Sequence, residues 1–298
     1  MIESYIERTK NYCKYNYYKN LSYNKYEEEL KKWYYKKTKE KLNLTNPKNF
    51  NQKIQWLKLY DNTPEKQILA DKYLMREWIE KNVDKKYLVN LIGVWNDYDE
   101  INFEKLPSKF VLKCNHGSGF NYIVNDKSCV DRKDMRNKFK KWVKKNYAFM
   151  NGFELQYKNI PPRIMCEEHL GDNLIDLQVW CSHDEIMFIT YIKSPHGINE
   201  KASYNENWVR LDFVTSKPIL KVDVEKPKCL DEIIVVAKKI AKDFKFSRID
   251  FYILNDGTIK ISEITFTPAS GIVDWTPSTV NYEVGKMIKI NDGSKNNE

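Results

Sequence analysis

The sequence predicts an α+β fold with mixed and antiparallel sheets. Helix-like and strand-like segments alternate along the 298 residues, but without the strict strand–helix–strand order of a parallel sheet. The last two strand-like segments, RIDFYIL and TIKISEITF, are joined by Asn255-Asp256-Gly257, which is a strong signal for an antiparallel hairpin. The chain is long enough for one large domain or for two to three interleaved ones.

The first part of the chain is predicted to be helical. Residues 1–45 are rich in Tyr, Lys and Glu and predict one or two amphipathic helices, which end at Asn46-Pro47. A further helix is predicted over residues 50–60. Thr63-Pro64 supplies an N-cap followed by Pro at the first helical position, and this predicts a helix that continues past Tyr73 to Trp78.

Strand-like segments dominate from residue 88 onwards. In chain order we predict a short strand and loop at 88–95, a strand at 110–114 before a glycine turn, a helix at 131–147, a strand at 163–170, two strands joined at His183-Asp184, an irregular polar segment at 194–218, a helix at 231–244 and the final hairpin.

Several classes of protein are excluded by composition. No apolar run reaches the roughly 18 residues that a membrane span needs. The N-terminus has no apolar signal-peptide region, so a cytoplasmic location is expected. The six cysteines include no C-x-x-C pair and the four His residues are dispersed, so we expect reduced thiols and no transition-metal site.

The net charge of +9 and the aromatic content of 14% raise the question of nucleic acid. Much of the excess lies in diffuse lysine-rich helical surfaces, which favours a solvated basic surface and, after that, an anionic substrate. No nucleic-acid partner is therefore expected.

The final hairpin places two acids opposite each other. If Asp256-Gly257 forms the turn, Asn255 pairs with Thr258, and Asp250 lies directly opposite Glu263. In the same register Arg248 faces Thr265. Because side chains alternate along a strand, these four project from one face. Ile249, Phe251 and Ile253 project from the other face, towards the helix predicted at 231–244.

Facing carboxylates repel each other and lower the stability of a hairpin. A hard cation that bridges Asp250 and Glu263 removes the repulsion, lowers the pKa of both groups and can also hold phosphate oxygens. The alternative is a pair of solvated acids balanced by Arg248.

A second candidate site follows an apolar strand. Lys113 ends the run Phe110-Val111-Leu112 and precedes the turn Gly117-Ser118-Gly119. A cation beside exposed backbone N–H groups can hold phosphate, although such a turn is more often only a turn. The chain contains neither a Walker A motif nor the H-R-D and D-F-G motifs of protein kinases.

Further acids stand at strand ends. Glu167 and Glu168 follow the strand that begins at Arg163, where main-chain groups and a carboxylate can recognise an adenine edge. Asp176 opens the next strand and can bind ribose hydroxyls. The alternative for each is an ordinary surface acid.

The order of these motifs resembles that of the ATP-grasp superfamily: a strand with Lys, a Gly turn, a Glu-Glu pair and then the R-x-D…E-x-T pattern. The phrases FNQKIQWLKLYD, ADKYLMREW, KFVLKCNHGSG, EEHL, RIDFY and EITFTPASG resemble its teichuronopeptide-biosynthesis, TupA-like branch over residues 48–275. The resemblance implies an ATP-grasp fold, in which two α+β subdomains clasp ATP. It implies a helical extension at 1–47, an N-terminal α/β lobe at 48–108, a small lid subdomain at 109–168 and a C-terminal subdomain with the Mg-binding hairpin at 169–298.

The resemblance also implies ATP and Mg²⁺ as cofactors and gives each candidate residue a role. Lys113 would contact the phosphates, and the loop of Gly117, Ser118 and Gly119 would cover them. The adenine would be bound at the hinge formed by Glu167, Glu168 and Leu170, and the ribose by Asp176. Mg²⁺ would be bound by Asp250, Glu263 and Thr265, and the transferring group would be stabilised by Arg248 and Lys201 together with Lys113. Thr265 stands where most ATP-grasp enzymes have Asn, which leaves the number of Mg²⁺ ions open.

The function that the resemblance implies is ATP-dependent carboxylate–amine ligation through an acyl phosphate, in cell-surface polysaccharide biosynthesis. The partners would be an acidic glycan or nucleotide sugar and an amino acid. Two alternatives stay open: an ATP-grasp-type kinase of a sugar or carboxylate, and a non-catalytic partner of a glycosyltransferase. The first 45 residues lie largely outside the resemblance and can bind the acceptor, cover the core, or contact an anionic membrane or a glycosyltransferase.

Overall fold

The computed structural model describes residues 2–172, 174–194 and 198–290, with the backbone alone for residues 2–9. The helices are α1 (Ile2–Lys19), α2 (Tyr26–Thr38), α3 (Phe50–Tyr60), α4 (Pro64–Ala70), α5 (Leu74–Asn82), α6 (Arg132–Trp142), α7 (Leu230–Ala241) and α8 (Val280–Met287). The strands are β1 (Leu91–Trp95), β2 (Phe110–Cys114), β3 (Asn121–Val124), β4 (Ile164–Glu168), β5 (Ile175–Ser182), β6 (Glu185–Lys193), β7 (Glu200–Tyr204), β8 (Arg210–Leu211), β9 (Ser247–Ile253) and β10 (Ile259–Thr265). The predicted α+β class is confirmed.

The strands form two antiparallel sheets. The small sheet has four strands in the order β1-β4-β2-β3, and the large sheet has six in the order β10-β9-β5-β6-β7-β8. Strand β1 therefore belongs to the same sheet as β2 to β4, although the predicted boundary at residue 108 separates it from them. The division of the chain into domains stays a prediction.

The large sheet is covered on one face by α7, as predicted. Ile249, Phe251 and Ile253 of β9 are buried in one core with Ile233 and Ile240 of α7. Burial of these side chains on one face leaves the alternate residues of β9 on the opposite face. Arg248 and Asp250 are therefore directed away from α7.

The N-terminal helices are part of the main core. Tyr18 of α1 and Tyr26, Leu30 and Trp33 of α2 are buried in the same cluster as the large sheet. Tyr34 of α2 is buried there too, whereas Tyr12, Tyr17 and Tyr35 are exposed, so one side of the two helices packs into the main core. None of the helices in the described ranges has both the length and the apolar character that a bilayer crossing requires.

Two predicted elements are wrong. The helix expected to continue past Tyr73 is broken into α4 and α5, because Asp71 Oδ1 accepts hydrogen bonds from Tyr73 N at 2.8 Å and Leu74 N at 3.3 Å and so starts a new helix. The segment at 194–218 is not irregular throughout, since it contains β7 and β8.

The turn of the final hairpin differs from the prediction by one residue. Leu254 N donates to Thr258 O at 2.9 Å, so Leu254 and not Asn255 is the partner of Thr258. The loop therefore has three residues, of which Gly257 has the left-handed φ of +84°. This is the usual form of a three-residue hairpin loop with glycine in the left-handed position.

A β-bulge at Ser262 restores the predicted register at the acids. The pairing shifts by one residue between Ile261 and Glu263, and beyond this point Asp250 faces Glu263 and Arg248 faces Thr265. Without the bulge, Asp250 would face Ser262 and Glu263 would point to the α7 face. The predicted pairing of the two acids is confirmed, but through a bulge that the sequence did not reveal.

We predict that Gly257→Ala lowers the free energy of unfolding by about 1 kcal/mol, because alanine is strained at a left-handed φ. A Cβ at this position would meet nothing within 4 Å, so backbone strain is the only cost. Urea unfolding followed by circular dichroism measures the change. Gly257→Asn is the matched control and should lose less, since Asn adopts this conformation more readily. Equal stability of the alanine variant and the parent would contradict the strained turn.

Candidate active site

A cleft of about 390 Å³ lies between the two sheets, and both sheets contribute side chains to it. It brings together most of the residues that the sequence singled out. Those that line it are Lys113, Gly117, Ser118, Gly119, Glu167, Glu168, Leu170, Asp176, Arg248, Asp250 and Glu263. Thr265 and Lys201 stand beside the cleft and are described below.

Arg248 is the centre of the acidic side of the cleft. Its Nε and Nη2 atoms donate to the two oxygens of Asp250 at 2.6 and 2.5 Å, and Nη2 also lies 3.4 Å from Glu263 Oε1. Thr265 Oγ1 donates to the same Glu263 oxygen at 2.9 Å. Burial opposes the charge of Arg248, but Asp250 and Glu263 raise its pKa overall. The guanidinium therefore stays charged and neutralises part of the carboxylate pair.

The residues Asp250, Glu263 and Thr265 fit a Mg²⁺ ion by the chemistry of their donor atoms. Burial raises the pKa of Asp250, and the neighbouring carboxylate of Glu263 raises it further, so the protein leaves this group short of positive charge despite Arg248. Carboxylate and hydroxyl oxygens are ligands that hard divalent cations prefer. Asp250 Oδ1 accepts from Arg248 Nε and Glu263 Oε2 pairs with Lys72, so each of these two oxygens keeps a lone pair for a further ligand.

Asp176 lies on the same sheet face, one strand away from β9. Asp176 pairs with Tyr252 of β9, and Gln178, two residues further along β5 and on the same face, pairs with Asp250. Asp176 Oδ1 is buried without a hydrogen-bond partner among the described residues. Burial raises the pKa of Asp176 to about 6. An unpartnered buried acceptor facing a cleft is suited to a ligand hydroxyl.

Lys113 and Glu167 form the basic side of the cleft on the small sheet. Lys113 Nζ lies 2.5 Å from Glu167 Oε2, and Arg76 Nη1 lies 3.1 Å from Glu167 Oε1. The carboxylate of Glu167 is thus held by two cations and acts as their counterion. Glu168 Oε1 accepts from Asn90 N at 3.2 Å, and Leu170 follows in the cleft wall.

Lys72 is a cleft residue that the sequence analysis missed. Its ammonium lies 3.2 Å from Glu263 Oε2 and donates to Gly117 O at 2.8 Å. Burial alone would raise the pKa of Glu263, but Lys72 and then Arg248 lower it to about 2. Lys72 therefore joins the acidic hairpin to the glycine turn.

The position of Lys72 is fixed by a buried asparagine. Asn115 Nδ2 donates to Asp71 Oδ1 at 2.9 Å and to Pro161 O at 3.0 Å, while Asn115 Oδ1 accepts from Arg163 N at 2.7 Å. Asn115 O also accepts from Lys72 N at 3.1 Å. The sequence does contain one signal for the helix break, which is Asp71, because an Asp side chain can accept from the N–H groups two and three residues later and so begin a helix. The signal is hard to recognise because apolar residues keep helical spacing on both sides of it.

The glycine turn packs against an aromatic side chain. A Cβ at Gly117 would lie 2.5 Å from Tyr147 Cδ2, so only glycine allows this approach. The ring of Tyr147 also meets Phe120 edge-on, with centroids 5.7 Å apart. Gly119 has a φ of +74° and needs glycine for its backbone conformation instead.

Lys201 lies outside the cleft wall but on the same sheet face. It faces Ile192 on β6, which in turn faces Asp176 on β5. Its ammonium donates to Ser216 Oγ. Burial lowers the pKa of Lys201, and the positive charge of Arg248 lowers it further. The predicted role of Lys201 in the reaction stays a prediction.

Comparison with known families and structures gives the following matches. A family model described as TupA-like ATPgrasp matches residues 52–289, which include every predicted site residue. None of the curated proteins matches the chain. The D-alanine–D-alanine ligase of Bacillus anthracis, solved with ATP, is 15% identical with a TM-score of 0.41, over 74% of this chain and 63% of that one.

Two further solved structures are similar to the chain. The L-amino acid ligase of Bacillus licheniformis is 12% identical with a TM-score of 0.46, over 82% of this chain and 55% of that one. The N5-carboxyaminoimidazole synthetase of Staphylococcus aureus, solved with ADP, is 13% identical with a TM-score of 0.40, over 67% of this chain and 45% of that one. The chain thus spans less than two thirds of the length of each of these proteins.

We predict that Gly117→Ala weakens ATP binding about tenfold or more, because the new methyl group forces the turn away from Tyr147. Isothermal titration calorimetry with ATP and Mg²⁺ measures the dissociation constant. The double variant Gly117→Ala with Tyr147→Ala removes the overlapping Cγ and Cδ2 atoms and should recover part of the affinity. Unchanged affinity of the single variant would show that the position of this turn does not govern nucleotide binding.

Proposed function

We propose that this chain, which belongs to the TupA-like ATP-grasp family, is a Mg-ATP-dependent carboxylate–amine ligase. It joins an amino acid to a uronic acid or a similar acid, carried on a glycan or nucleotide-sugar precursor of a cell-surface polysaccharide. The observation that carries the proposal is the cleft in which Lys72 and Arg248 contact the facing carboxylates Asp250 and Glu263, and which Lys113 lines from the small sheet. The family match supports the ATP-dependent chemistry.

The reaction that we propose has two steps. A carboxylate oxygen of the acid attacks the γ-phosphorus of ATP, and ADP leaves, which gives an acyl phosphate. The amine nitrogen then attacks the carbonyl carbon, the bond to phosphate breaks, and the nitrogen loses a proton to form the amide. Both steps need charge neutralisation at the phosphoryl group and exclusion of water from the reactive anhydride.

Lys113 and Lys72 would neutralise the phosphates by exchanging partners. Lys113 is now paired with Glu167, and Lys72 with Glu263. If Lys113 turns to a phosphate oxygen, Arg76 continues to neutralise Glu167. Arg248 likewise stays beside Glu263 if Lys72 turns away, so the exchange leaves neither buried carboxylate without a cation.

Asp250, Glu263 and Thr265 would hold Mg²⁺, which when bound neutralises the charge of the phosphate oxygens. Arg248 is held on the same face by Asp250 and would stabilise the transferring phosphoryl group or the tetrahedral oxyanion. Lys201, two strands from Asp176, would approach the γ-phosphate from the edge of the cleft. No protein nucleophile is needed.

The remaining cleft residues would bind the nucleoside and cover the phosphates. The main chain at Glu167, Glu168 and Leu170 would recognise the adenine edge, since the carboxylate of Glu167 is already held by two cations. Asp176 has an unpartnered oxygen for a ribose hydroxyl. The turn that contains Gly117, Ser118 and Gly119 would close over the phosphates and exclude water.

We expect sustained ADP release from ATP and Mg²⁺ only when both an acid and an amine are supplied, since the acid alone allows no more than the first step. The measurement is a screen of uronic acids and their UDP-sugars against amino acids, with mass spectrometry of the products. Amide formation with stoichiometric ADP supports the ligase. Sustained ADP release with an acid or sugar alone, together with a stable phosphorylated product and no amide, would identify a kinase. Absence of ATP binding in the presence of Mg²⁺ would refute an ATP-dependent enzyme of either kind.

We predict that Glu263→Gln lowers turnover about 100-fold or more, because it removes one of the two charges offered to the metal. The half-saturating Mg²⁺ concentration should rise in the same variant, which separates loss of metal binding from a general loss of activity. Glu185→Gln, at an exposed position of β6, is the control and should behave as the parent. Turnover and Mg²⁺ dependence near those of the parent would refute the assignment of Glu263 to the metal.

A further inference from the structure

Two charged side chains of the small sheet lie on the face that forms the cleft. Leu112 of β2 and Cys166 of β4 are buried in a separate core on the other face. Because side chains alternate along a strand, Lys113 and Glu167 project from the opposite face, and both line the cleft. The register places Glu167 opposite Val111, two residues from Lys113. The two charged groups are therefore diagonal neighbours on adjacent strands.

The carboxylate of Glu167 is shared by two cations. Lys113 Nζ lies 2.5 Å from Glu167 Oε2, and Arg76 Nη1 lies 3.1 Å from Glu167 Oε1. The side chain of Glu167 is only 7% exposed, so its charge needs a partner inside the protein. Because each cation has its own oxygen, one of them can leave without displacing the other.

Arg76 differs from Lys113 in where its charge can move. It belongs to α5, whose residue Met75 is buried in the main core. Its Nη2 atom donates to Val89 O at 2.5 Å, so the guanidinium is bound at two points. Among the described residues, those that line the cleft include Lys113 but not Arg76. Lys113 can therefore turn to a ligand in the cleft, whereas Arg76 stays behind the carboxylate.

The second lysine of the cleft has a related arrangement. Lys72 Nζ lies 3.2 Å from Glu263 Oε2, and Arg248 Nη2 lies 3.4 Å from Glu263 Oε1. Here too a lysine and an arginine contact different oxygens of one carboxylate. Arg248 lines the cleft, however, so it can contact a ligand directly. Arg76 does not line the cleft, and its effect on a ligand has to pass through Glu167.

We propose that Arg76 is a positioning residue for nucleotide binding, which holds the carboxylate of Glu167 so that Lys113 can transfer to a phosphate of ATP. The inference rests on the proposed function, since it takes a triphosphate as the ligand of the cleft. Without Arg76, Lys113 would be the one cation left in the described chain that pairs with this buried carboxylate, and its transfer would leave the charge unpaired. With Arg76 in place, Lys113 exchanges one anionic partner for another.

The first variant of the test is Arg76→Gln, which removes the charge. Lys113 should then stay on Glu167, so ATP should bind about tenfold or more weakly, because transfer of the lysine would leave a buried charge unpaired. Adenosine carries no phosphate, and its affinity should stay near that of the parent. Isothermal titration calorimetry of the full chain, with ATP and Mg²⁺ and with adenosine alone, measures the dissociation constants.

The decisive comparison repeats this change in a Glu167→Gln background, where no carboxylate remains to be held. There Arg76→Gln should leave the affinity for ATP unchanged within about twofold, because Lys113 has no carboxylate to leave in either protein. A direct attraction between Arg76 and the phosphates would persist in this background. Support of the adenine hinge through Val89 would persist as well. The four proteins of this cycle therefore separate a role through Glu167 from both of these.

Arg136→Gln, on α6, is the matched control. It removes the same charge and also breaks an ion pair, since Arg136 Nε lies 2.6 Å from Asp99 Oδ1 at the surface. Its affinity for ATP should equal that of the parent. Thermal unfolding of all the variants verifies that they are folded.

The inference is wrong if Arg76→Gln binds ATP as tightly as the parent, or if it loses the same factor in both backgrounds. An equal loss of affinity for ATP and for adenosine would show that Arg76 only supports the hinge, which also contradicts the inference. These results leave the proposed function intact, because the parent still binds ATP. If the parent itself does not bind ATP in the presence of Mg²⁺, the proposed function is refuted and the inference with it.

Discussion

The bidentate contact between Arg248 and Asp250 is the interaction on which the rest of the cleft depends. Two carboxylates on adjacent strands, buried in a sheet face, cannot remain ionised without nearby cations. Arg248 supplies one cation from the same strand as Asp250, and Lys72 supplies another to Glu263. Because Lys72 also holds Gly117, this charge requirement joins the large sheet to the turn above the small sheet.

Three ion pairs are therefore present in the cleft before any ligand enters. Lys113 is matched by Glu167, Lys72 by Glu263 and Arg248 by Asp250. On the proposed function, Mg²⁺ would compete for the same carboxylates that hold Lys72, and a triphosphate would offer that lysine a new partner. Buried ion pairs of this kind contribute little net free energy to stability. Exchanging one partner for another therefore costs less free energy than burying a new unpaired charge.

The sequence predicted the fold class and most of the cleft, because hydrophobic periodicity and turn residues are local signals. It placed Asp250 opposite Glu263, although the turn that justified this register is offset by one residue. The bulge at Ser262 that corrects the offset leaves no compositional trace, since serine is ordinary in a strand. Lys72 was missed because helical spacing continues across the break, and the break depends on Asn115, which is distant in the chain. Long-range hydrogen bonds of this type have no local signature.

The N-terminal hairpin lies largely outside the matched family segment, yet it reaches the glycine turn through one intermediate layer. Tyr15 of α1 accepts a hydrogen bond from Asn146 N at 2.8 Å, and the next residue, Tyr147, packs against Gly117. Asn146 Oδ1 in turn accepts from Ala148 N at 3.1 Å, which fixes the short helical turn that carries Tyr147. A displacement of α1 would therefore be transmitted to the turn through Asn146 and Tyr147. The hairpin is consequently both an outer surface and a support for the cleft, since the same helix that exposes Lys10 and Tyr17 positions the aromatic ring beneath the glycines.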